Sequence, residues 1–311
     1  MKKMIIVLFF ILISLYAAIY LLVPNKLIIS NNRVMEGNPN AAYRYLIANP
    51  ANWKFWMDSS AAEPQSFSLG DYLFKTNKMF TNYSEIAIKK NNNQSFISQI
   101  QFLPVAKDSF QIIWQCEITS SLNPVEKIKK YFAGRAFISI TNEAIDRFQS
   151  FIQKDDKVYG APVIKTTVND TLLIATYFES DTIPGIKKIY SLYDELKSSI
   201  TNQKSTIQDS GMLHITKLFD NTYKTMVAIP ITKAIQPAFN QVIKRMVKGN
   251  ILVMEKKGGP FIIKASQDIL AQYVVDYGLI SPAIPFQKLM TNRLAETDTS
   301  KWITKFYYPI Y

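Results

Sequence analysis

Hydrophobic and polar residues follow three different patterns along this chain. The first is an uninterrupted apolar run over residues 4–23, which follows Lys2 and Lys3 and ends before Pro24. Because a helix rises about 1.5 Å per residue, about 20 apolar residues are needed to cross the hydrocarbon layer of a membrane. The run therefore predicts an N-terminal transmembrane anchor over residues 1–24.

A cleaved secretory signal is the alternative interpretation of this segment. Its apolar region would be about 7–15 residues long and would end in small residues, whereas residues 19–23 are mostly large. The two lysines before the run favour a cytoplasmic N-terminus. The sequence thus predicts a single-pass membrane protein whose remaining domains are extracytoplasmic.

The second pattern, within residues 27–154, is strict alternation followed by helical spacing. Apolar and polar residues alternate over 96–102 and 110–118, which is typical of antiparallel strands with one buried face. Apolar residues then recur with helical period over 144–152. We expect an α+β domain in which a twisted antiparallel sheet grips one helix, a shape that can enclose an apolar cavity.

The beginning of this domain contains further local signals. Residues 27–35 have the composition of a strand, and Asn38 and Pro39 supply the N-cap and first-turn proline of a short helix. Trp53 and Trp56 then form an aromatic cluster. The two tryptophans could line the cavity, but packing that holds the fold together is the favoured interpretation.

The third pattern occurs twice within residues 157–311. Each copy has the signals of strand, helix, strand, strand, and the first strands begin near Thr171 and Ile251. Helical spacing predicts one buried face for each helix, formed by Ile186, Ile189, Tyr193, Leu196 and Ile200 in the first copy and by Ile262, Ile269, Leu270 and Tyr273 in the second. Gly278 is predicted to cap the second helix. The closing strands both end in Pro-Ile, at Pro230 and Pro309. We expect a duplicated β-α-β-β unit with pseudo-twofold packing, and the groove between the copies is the natural place for a ligand.

Composition limits the classes of protein to which this chain can belong. The hydrophobic fraction of 48% is that of a folded chain, and the single cysteine, Cys116, excludes an internal disulfide. The net charge of +12 comes mostly from lysines dispersed along the chain. Nucleic-acid proteins tend to concentrate charge on one surface with arginine and aromatic residues, so we expect no nucleic-acid partner.

Candidate catalytic and metal-ligating residues are few. His214, the only histidine, lies in a predicted apolar strand without the convergent partners that acid-base or metal chemistry needs. Cys116 lies on an apolar strand face, where a thiol is normally inert. Gly258 and Gly259 lack the spacing of a phosphate-binding loop. The sequence therefore predicts no catalytic residues, no metal and no cofactor.

Two known families resemble the two halves of the chain. The helix start at 38–39 and the aromatic cluster at 53–56 resemble the START-like, or polyketide-cyclase-like, helix-grip superfamily (SRPBCC). The Gly-Pro pair at 259–260 and the terminal Tyr-Pro-Ile at 308–310 resemble the GyrI-like, or AraC-type, effector-binding domain. The resemblance implies a non-enzymatic binder of small, often apolar or cationic molecules, with rare hydrolytic members in the GyrI-like branch.

The second half also departs from the GyrI-like pattern. The acidic residue that often precedes the proline of a closing strand is replaced by Met226 and Lys305. The usual acidic and tyrosine pair is replaced by Gln287 and by Leu289 or Met290. These departures count against cation selectivity and hydrolysis.

Three side chains are candidate ligand contacts. Tyr177 and Glu255 lie near the corresponding first strands of the two copies, and Tyr307 lies in the last strand, so all three could face the groove. An aromatic wall with one polar anchor suits a small-molecule pocket. Core packing of the tyrosines and a solvated Glu255 form the alternative.

The sequence thus predicts a membrane-anchored, non-enzymatic protein that senses or sequesters a small apolar or amphipathic molecule. Two alternatives stay open. One is a hydrolase or cyclase acting in either domain, and the other is a lipid-binding scaffold. Because the sequence shows no helix-turn-helix before the second half, direct transcriptional control is not expected.

Overall fold

The computed structural model describes residues 2–59, 66–90, 95–120, 123–169, 171–246 and 248–311, with side chains from residue 6 onward. The chain divides into two compact units, Met1–Val158 and Tyr159–Tyr311. Each unit is a mixed α+β structure built on one antiparallel sheet.

Residues Lys2–Leu22 form the N-terminal helix α1. Among the described residues, no helix has both the length and the apolar character needed to cross a membrane. For the described residues the predicted transmembrane anchor and the single-pass membrane localisation are therefore wrong, and the predicted membrane partner is not supported. Lys2 and Lys3, which predicted the orientation, have side chains outside the described set.

The first unit combines a seven-stranded sheet with one long helix. Its strands are β1 (Lys26–Glu36), β2 (Asp58–Ser59), β3 (Ser66–Leu69), β4 (Tyr72–Met79), β5 (Tyr83–Lys90), β6 (Ser95–Ala106) and β7 (Ser109–Thr119). The strand order is β1-β7-β6-β5-β4-β3-β2. Its other helices are α2 (Pro39–Tyr43), a π-helical turn (Arg44–Ala48), a 3₁₀ segment (Pro50–Phe55), α3 (Pro124–Ile152) and α4 (Asp155–Val158). The long helix α3 packs against β1 and β7.

Asparagine caps and prolines set the starts of α2 and α3. The Asn38 side chain accepts hydrogen bonds from the backbone N–H groups of Asn40 and Ala41 at 2.9 and 3.0 Å, and Pro39 occupies the first turn. Asn123 caps α3 in the same way. The caps accept from N–H groups that have no partner inside the helix, so the predicted N-cap at residue 38 is confirmed.

Aromatic rings pack between α3 and the sheet of the first unit. Trp53 is only 1% exposed, and its ring centroid lies 4.8 Å from that of Trp56 and 6.2 Å from that of Trp114. Its indole N–H donates to the backbone oxygen of Leu46 at 2.9 Å. Trp56 in turn contacts Phe148 of α3. The favoured interpretation, that the two tryptophans hold the fold together, is confirmed.

Alternation in the first unit is confirmed on β6 and β7, as is the helical repeat at the end of α3. The buried apolar residues of these elements are Phe96, Ile100, Phe102, Phe110, Ile112, Trp114, Cys116, Ala144, Ile145, Phe148, Phe151 and Ile152.

The second unit is built on an eight-stranded sheet and two helices. Its strands are β8 (Ile164–Val168), β9 (Thr171–Ser180), β10 (Met212–Lys217), β11 (Tyr223–Ile231), β12 (Gln241–Met246), β13 (Gly249–Lys257), β14 (Phe286–Leu289) and β15 (Ile303–Ile310). Its helices are α5 (Ile186–Asn202), α6 (Pro260–Asp276) and a 3₁₀ turn (Thr299–Lys301). The strand order is β12-β9-β11-β10-β14-β15-β13-β8.

The predicted duplication is present in this topology. One copy is β9-α5-β10-β11 and the other is β13-α6-β14-β15, and in each the first strand pairs with the last. The register also matches, because Pro230 lies opposite Leu173 and Pro309 lies opposite Ile251. The two copies join where β10 pairs with β14, at Leu213 and Gln287.

Helix α5 buries Ile189, Tyr193, Leu196 and Ile200 as predicted, with Ile186 partly buried, but α6 is rotated about its axis relative to the prediction. Its buried apolar residues include Ile263 and Leu270, whereas Ile262 is 42% exposed. Phe261, Ile262 and Ile263 are consecutive apolar residues, so helical periodicity alone does not decide which of them faces the core.

Candidate functional site

Both helices of the second unit pack on the same face of its sheet. The core beneath α5 contains Ile174 and Val227, and the core beneath α6 contains Leu252 and Met254. Successive side chains of a strand point to opposite faces. The other face, here called the helix-free face, carries a separate apolar cluster, and its members are Leu173, Ala175, Met212 and Ala228, with Met226, Met246 and Phe286 beside them.

Strand alternation places all three predicted contacts on the helix-free face. Tyr177 has the same parity as Ala175 on β9, and Tyr307 stacks on Phe286 of the apolar cluster. Glu255 has the opposite parity to Met254, which lies in the core beneath α6. All three side chains therefore lie on one face of the sheet, and their predicted role as ligand contacts in a groove stays a prediction.

Glu255 and Tyr307 lie close together on neighbouring strands. Glu255 lies opposite Lys305 on β15, and its carboxylate is 3.4 Å from the Lys305 ammonium. Tyr307 is two residues beyond Lys305 on the same strand, so it is the diagonal neighbour of Glu255. These residues combine an aromatic surface with a charged pair.

Tyr177 lies apart from this pair. The residue is 51% exposed, and its ring centre lies 4.5 Å from the ammonium of Lys224, which also pairs with Glu179 at 3.3 Å. The strands β11, β10 and β14 lie between β9 and β15, and each strand spacing is about 4.8 Å. Tyr177 and Tyr307 therefore share a face without sharing a compact pocket.

Phe286 and Lys288 complete the surroundings of Tyr307. The Phe286 and Tyr307 rings are parallel within 5°, with centroids 4.8 Å apart. The Lys288 ammonium lies 5.1 Å from the centre of the Tyr307 ring and donates a hydrogen bond to the Asp209 carboxylate. The sequence reasoning missed both residues, because only the pairing of β14 with β15 brings them to Tyr307.

Burial and charge shift two pKa values in this cluster. Burial raises the pKa of the Tyr307 hydroxyl, and the negative charges of Asp209 and Glu255 raise it further. Burial would also raise the pKa of Asp209, but hydrogen bonds from Lys288 and Ser210 outweigh it and hold that pKa below its usual value. At neutral pH the cluster therefore contains a protonated tyrosine and an ionised Asp209.

His214 is held by a backbone carbonyl. Its Nδ1 lies 2.7 Å from the Pro285 oxygen, and burial lowers its pKa although that hydrogen bond opposes the shift. A carbonyl oxygen only accepts, so Nδ1 carries the proton of the neutral ring. This hydrogen bond gives the partly buried His214 ring a partner, so its position is explained without a catalytic role.

Cys116 and the acidic residues give no sign of a reactive or metal-binding centre. Burial raises the pKa of the Cys116 thiol to about 11, with the charge of Glu117 adding to the effect, so the thiolate that would be the nucleophile is disfavoured. Over the described residues, no group of three or more His, Cys, Asp or Glu side chains is placed to hold a metal ion.

A cavity of about 200 Å³ lies on the helix side of the second unit, where the sequence predicted none. Tyr190, Tyr193 and Lys197 of α5 line one part of it. The rest of the lining is Ile207, Asp209, Ser210, Gly211, Ile229 and Leu289. We call this the α5 cavity. The helical spacing of Tyr190, Tyr193 and Lys197 could have indicated a shared face of α5, but the loop that closes the cavity gives no such signal.

Buried polar atoms without a protein partner lie near the α5 cavity. Within the part of the chain that the structure describes, the Tyr193 hydroxyl, the Gln287 side-chain oxygen and Arg293 Nε are buried without a hydrogen bond. The guanidinium of Arg293 stacks on Trp302 at 4.6 Å and donates to Thr304 Oγ1 at 2.6 Å. A buried polar group without a partner is costly, so this region holds unused hydrogen-bonding capacity.

Comparison with known proteins finds only distant structural neighbours. No protein-family model and no curated protein matches the chain. The EcmrR C-terminal domain is 12% identical with a TM-score of 0.41, and the match covers 49% of this chain and 98% of that chain. SAV2435 bound to tetraphenylphosphonium is 11% identical with a TM-score of 0.33, covering 48% and 94%. A hydrolase from Listeria innocua is 13% identical with a TM-score of 0.35, covering 51% and 98%.

All three neighbours are less than 15% identical to this chain, with TM-scores below 0.5. At such identities and TM-scores they establish no activity or ligand for this chain. The START-like resemblance of the first half, the absence of a nucleic-acid partner and the absence of catalysis stay predictions.

Proposed function

We propose that the second unit binds a small apolar or amphipathic molecule on its helix-free face and does not transform it chemically. The observation that carries this proposal is the stacked pair of Phe286 and Tyr307, which presents a flat aromatic surface beside the apolar cluster. Glu255, Lys305 and Lys288 surround this surface with charge. Apolar surface with a few placed polar groups is what small-molecule sites use.

The polar groups around the aromatic pair limit the chemistry of the ligand. Glu255 pairs with Lys305, and Asp209 pairs with Lys288, so both carboxylates already have a cation. A cationic ligand would have to displace one of these lysines, which costs part of its binding energy. This arrangement supports a preference for neutral or amphipathic ligands over simple cations.

The state of the nucleophiles and bases supports binding without catalysis. His214 is bound to a carbonyl through Nδ1, and Cys116 is a buried thiol with a raised pKa. General acid-base catalysis needs a titrating group within hydrogen-bond reach of the reacting atom. Tyr307 has a raised pKa, so its hydroxyl serves as a hydrogen-bond donor to a ligand instead of as a base.

Tyr177 contributes less to the proposed ligand site than Tyr307 and Glu255. It lies on the same face as Tyr307, but three strands lie between its own strand, β9, and β15. Only a ligand that extends across the intervening strands would touch both residues. A compact ligand would contact Tyr307 and Glu255 without Tyr177.

Native mass spectrometry of the full chain, purified gently from its expression host, tests the proposal. We expect a reproducible small-molecule adduct that is lost in Tyr307→Ala and reduced in Glu255→Gln. Tyr311→Ala is the matched control, because Tyr311 is an exposed tyrosine immediately after β15. An adduct retained in Tyr307→Ala would exclude this site. A bare mass, together with no thermal stabilisation by a broad compound library, would instead favour a scaffold role.

A further inference from the structure

We propose that the helix-free face binds one long unbranched alkyl chain with an uncharged polar head, which lies across the strands from Tyr307 to Tyr177. The inference rests on the function proposed above, because both place the ligand on this face, and it names the chemical class of that ligand. It depends on a continuous row of side chains between the two tyrosines and on the charges beside that row.

Strand register aligns one side chain from each of five neighbouring strands on the helix-free face. We call this set the cross-strand row, and its members are Tyr177 of β9, Met226 of β11, His214 of β10, Phe286 of β14 and Tyr307 of β15. The step from β10 to β14 follows from the pairing of Leu213 with Gln287. At about 4.8 Å from strand to strand, the row is about 19 Å long.

The accessible apolar surface runs across the strands instead of along them. All five members of the cross-strand row are at least partly exposed. Beside three of them, on the same strands, lie Ala175, Ala228 and Met212, which are at most 8% exposed. On the other side, β9 and β11 carry the ion pair of Glu179 and Lys224. A narrow apolar surface between a buried row and a charged one suits a linear chain better than a broad ring system.

The lysines beside the cross-strand row already have counter-ions. The pairs are Lys224 with Glu179, Lys305 with Glu255, and Lys288 with Asp209. An ionised head group would have to displace one partner of such a pair, which costs part of its binding energy. Burial lowers the pKa of His214, so at neutral pH the centre of the row is uncharged as well. The site therefore favours an uncharged ligand.

Tyr307 is the place for the polar head. Its hydroxyl stays protonated at neutral pH and can donate to a hydroxyl or ester oxygen. The ring of Phe286 stacks on it and continues the apolar surface toward His214. An extended chain advances about 3.4 Å for every three bonds, so 16 carbons span about 17 Å and 8 carbons span about 8 Å. The longer chain approaches Tyr177, whereas the shorter one ends near His214.

Native mass spectrometry of the full chain, titrated with monoacylglycerols of about 8 and about 16 acyl carbons below their micelle-forming concentrations, tests the inference. We expect one bound molecule per chain. Burying one side of a methylene should strengthen binding about twofold, half the free energy of full burial, so the long probe should bind about 100-fold more tightly or better. The ionised fatty acid of the same length should bind at least about tenfold more weakly than the long monoacylglycerol.

Variants at the far end of the row should separate the two probes. Tyr177→Ala and Met226→Gln should each weaken binding of the long probe about tenfold, the equivalent of about three half-buried methylenes, and leave the short probe unchanged. Tyr307→Ala should weaken binding of both. Phe219→Ala is the control, because Phe219 is a fully exposed aromatic residue between β10 and β11, outside the row, and it should affect neither probe.

Three results would overturn the linear-chain ligand. They are equal affinity for the two probes, long-probe affinity unchanged in both Tyr177→Ala and Met226→Gln, and tighter binding of the fatty acid than of the monoacylglycerol. If short-probe binding were still lost in Tyr307→Ala, the proposed function would survive that failure. Absence of binding by both probes would also overturn the inference, whereas the proposed function fails only if the host-derived adduct is absent too or is retained in Tyr307→Ala.

Discussion

Tyr190 and Tyr193 lie one turn apart on α5, yet their hydroxyl groups differ. The Tyr190 hydroxyl donates to the Thr291 oxygen at 3.4 Å and accepts from the Arg293 N–H at 3.0 Å. The Tyr193 hydroxyl has no such partner among the described residues, and burial raises its pKa. Comparison of the two residues therefore measures how much a buried hydroxyl without a hydrogen bond lowers the free energy of unfolding.

Tyr193→Phe should raise the free energy of unfolding by about 1 kcal/mol, because it removes a buried donor that has no partner. Tyr190→Phe should lower it by about 1 kcal/mol, because it breaks two hydrogen bonds and strands their partners. Urea denaturation of both variants, without added ligand, measures the difference. If Tyr193→Phe is as destabilising as Tyr190→Phe, the Tyr193 hydroxyl makes a hydrogen bond in solution.

His214 should make the stability of the second unit depend on pH. Its folded pKa is lowered by burial, so the unfolded chain binds a proton more readily than the folded chain. The contribution of His214 to the free energy of unfolding is therefore fully present above the unfolded pKa of about 6.5, and it is lost as the pH falls below that value.

Urea midpoints measured between pH 8 and about 5.5, the interval in which an ordinary histidine gains its proton, should show this loss. His214 is the only histidine, so His214→Gln should flatten the profile in that interval. A profile of unchanged slope in the variant would contradict the assignment of the pH dependence to His214.

At the scale of elements, α6 ends in a motif set by Gly278. Gly278 has φ of +59°, its N–H donates to the Val275 oxygen at 3.0 Å, and the Leu279 N–H donates to the Val274 oxygen at 2.9 Å. These bonds satisfy two of the last carbonyls of the helix. The sequence alone predicted the cap at residue 278, and the structure confirms it.

Gly278→Ala should lower the free energy of unfolding by about 1 kcal/mol, because a left-handed conformation crowds a Cβ atom. Gly278→Asn is the matched variant, and since asparagine tolerates this conformation better, it should cost less. Thermal unfolding of the two proteins measures the order. Equal losses would mean that the strain of the left-handed conformation is not the cause.

At the scale of the whole molecule, the chain consists of two units with separate cores. Aromatic rings fill the first, and two apolar cores beneath α5 and α6 stabilise the second. At the start of the second unit the Tyr159 hydroxyl donates to the buried Asp276 carboxylate at 2.8 Å. The contact assigns Tyr159 to the second core.

A fragment of residues 159–311 should therefore unfold cooperatively by itself. Within it, Tyr159→Phe should lower the free energy of unfolding by about 2 kcal/mol, since a hydrogen bond to a charged group is lost. Circular dichroism in a urea series measures both. A fragment without a cooperative transition would show that the second unit depends on the first.

Local features of this fold followed from the sequence. Caps at Asn38 and Gly278, the alternation of β6 and β7, and the duplicated unit all depend on neighbouring residues or on repeated patterns. The rotation of α6 about its axis did not follow from the sequence. Phe261, Ile262 and Ile263 are all apolar, so the sequence does not indicate which of them faces the core.

Tertiary structure alone decided how the candidate site is assembled. Tyr177 and Glu255 occupy equivalent positions, opposite Met226 and Lys305, yet they lie far apart because the copies join through β10 and β14.

The sequence by itself determined the helix caps, the alternation of β6 and β7 and the repeated unit, because these depend on neighbouring residues or on repeated local patterns. Only the tertiary structure decided that Phe286 stacks on Tyr307 and that Tyr193 lines a cavity near Arg293. Those contacts join residues distant in the chain, and their formation depends on strand register and helix rotation, which no local pattern encodes.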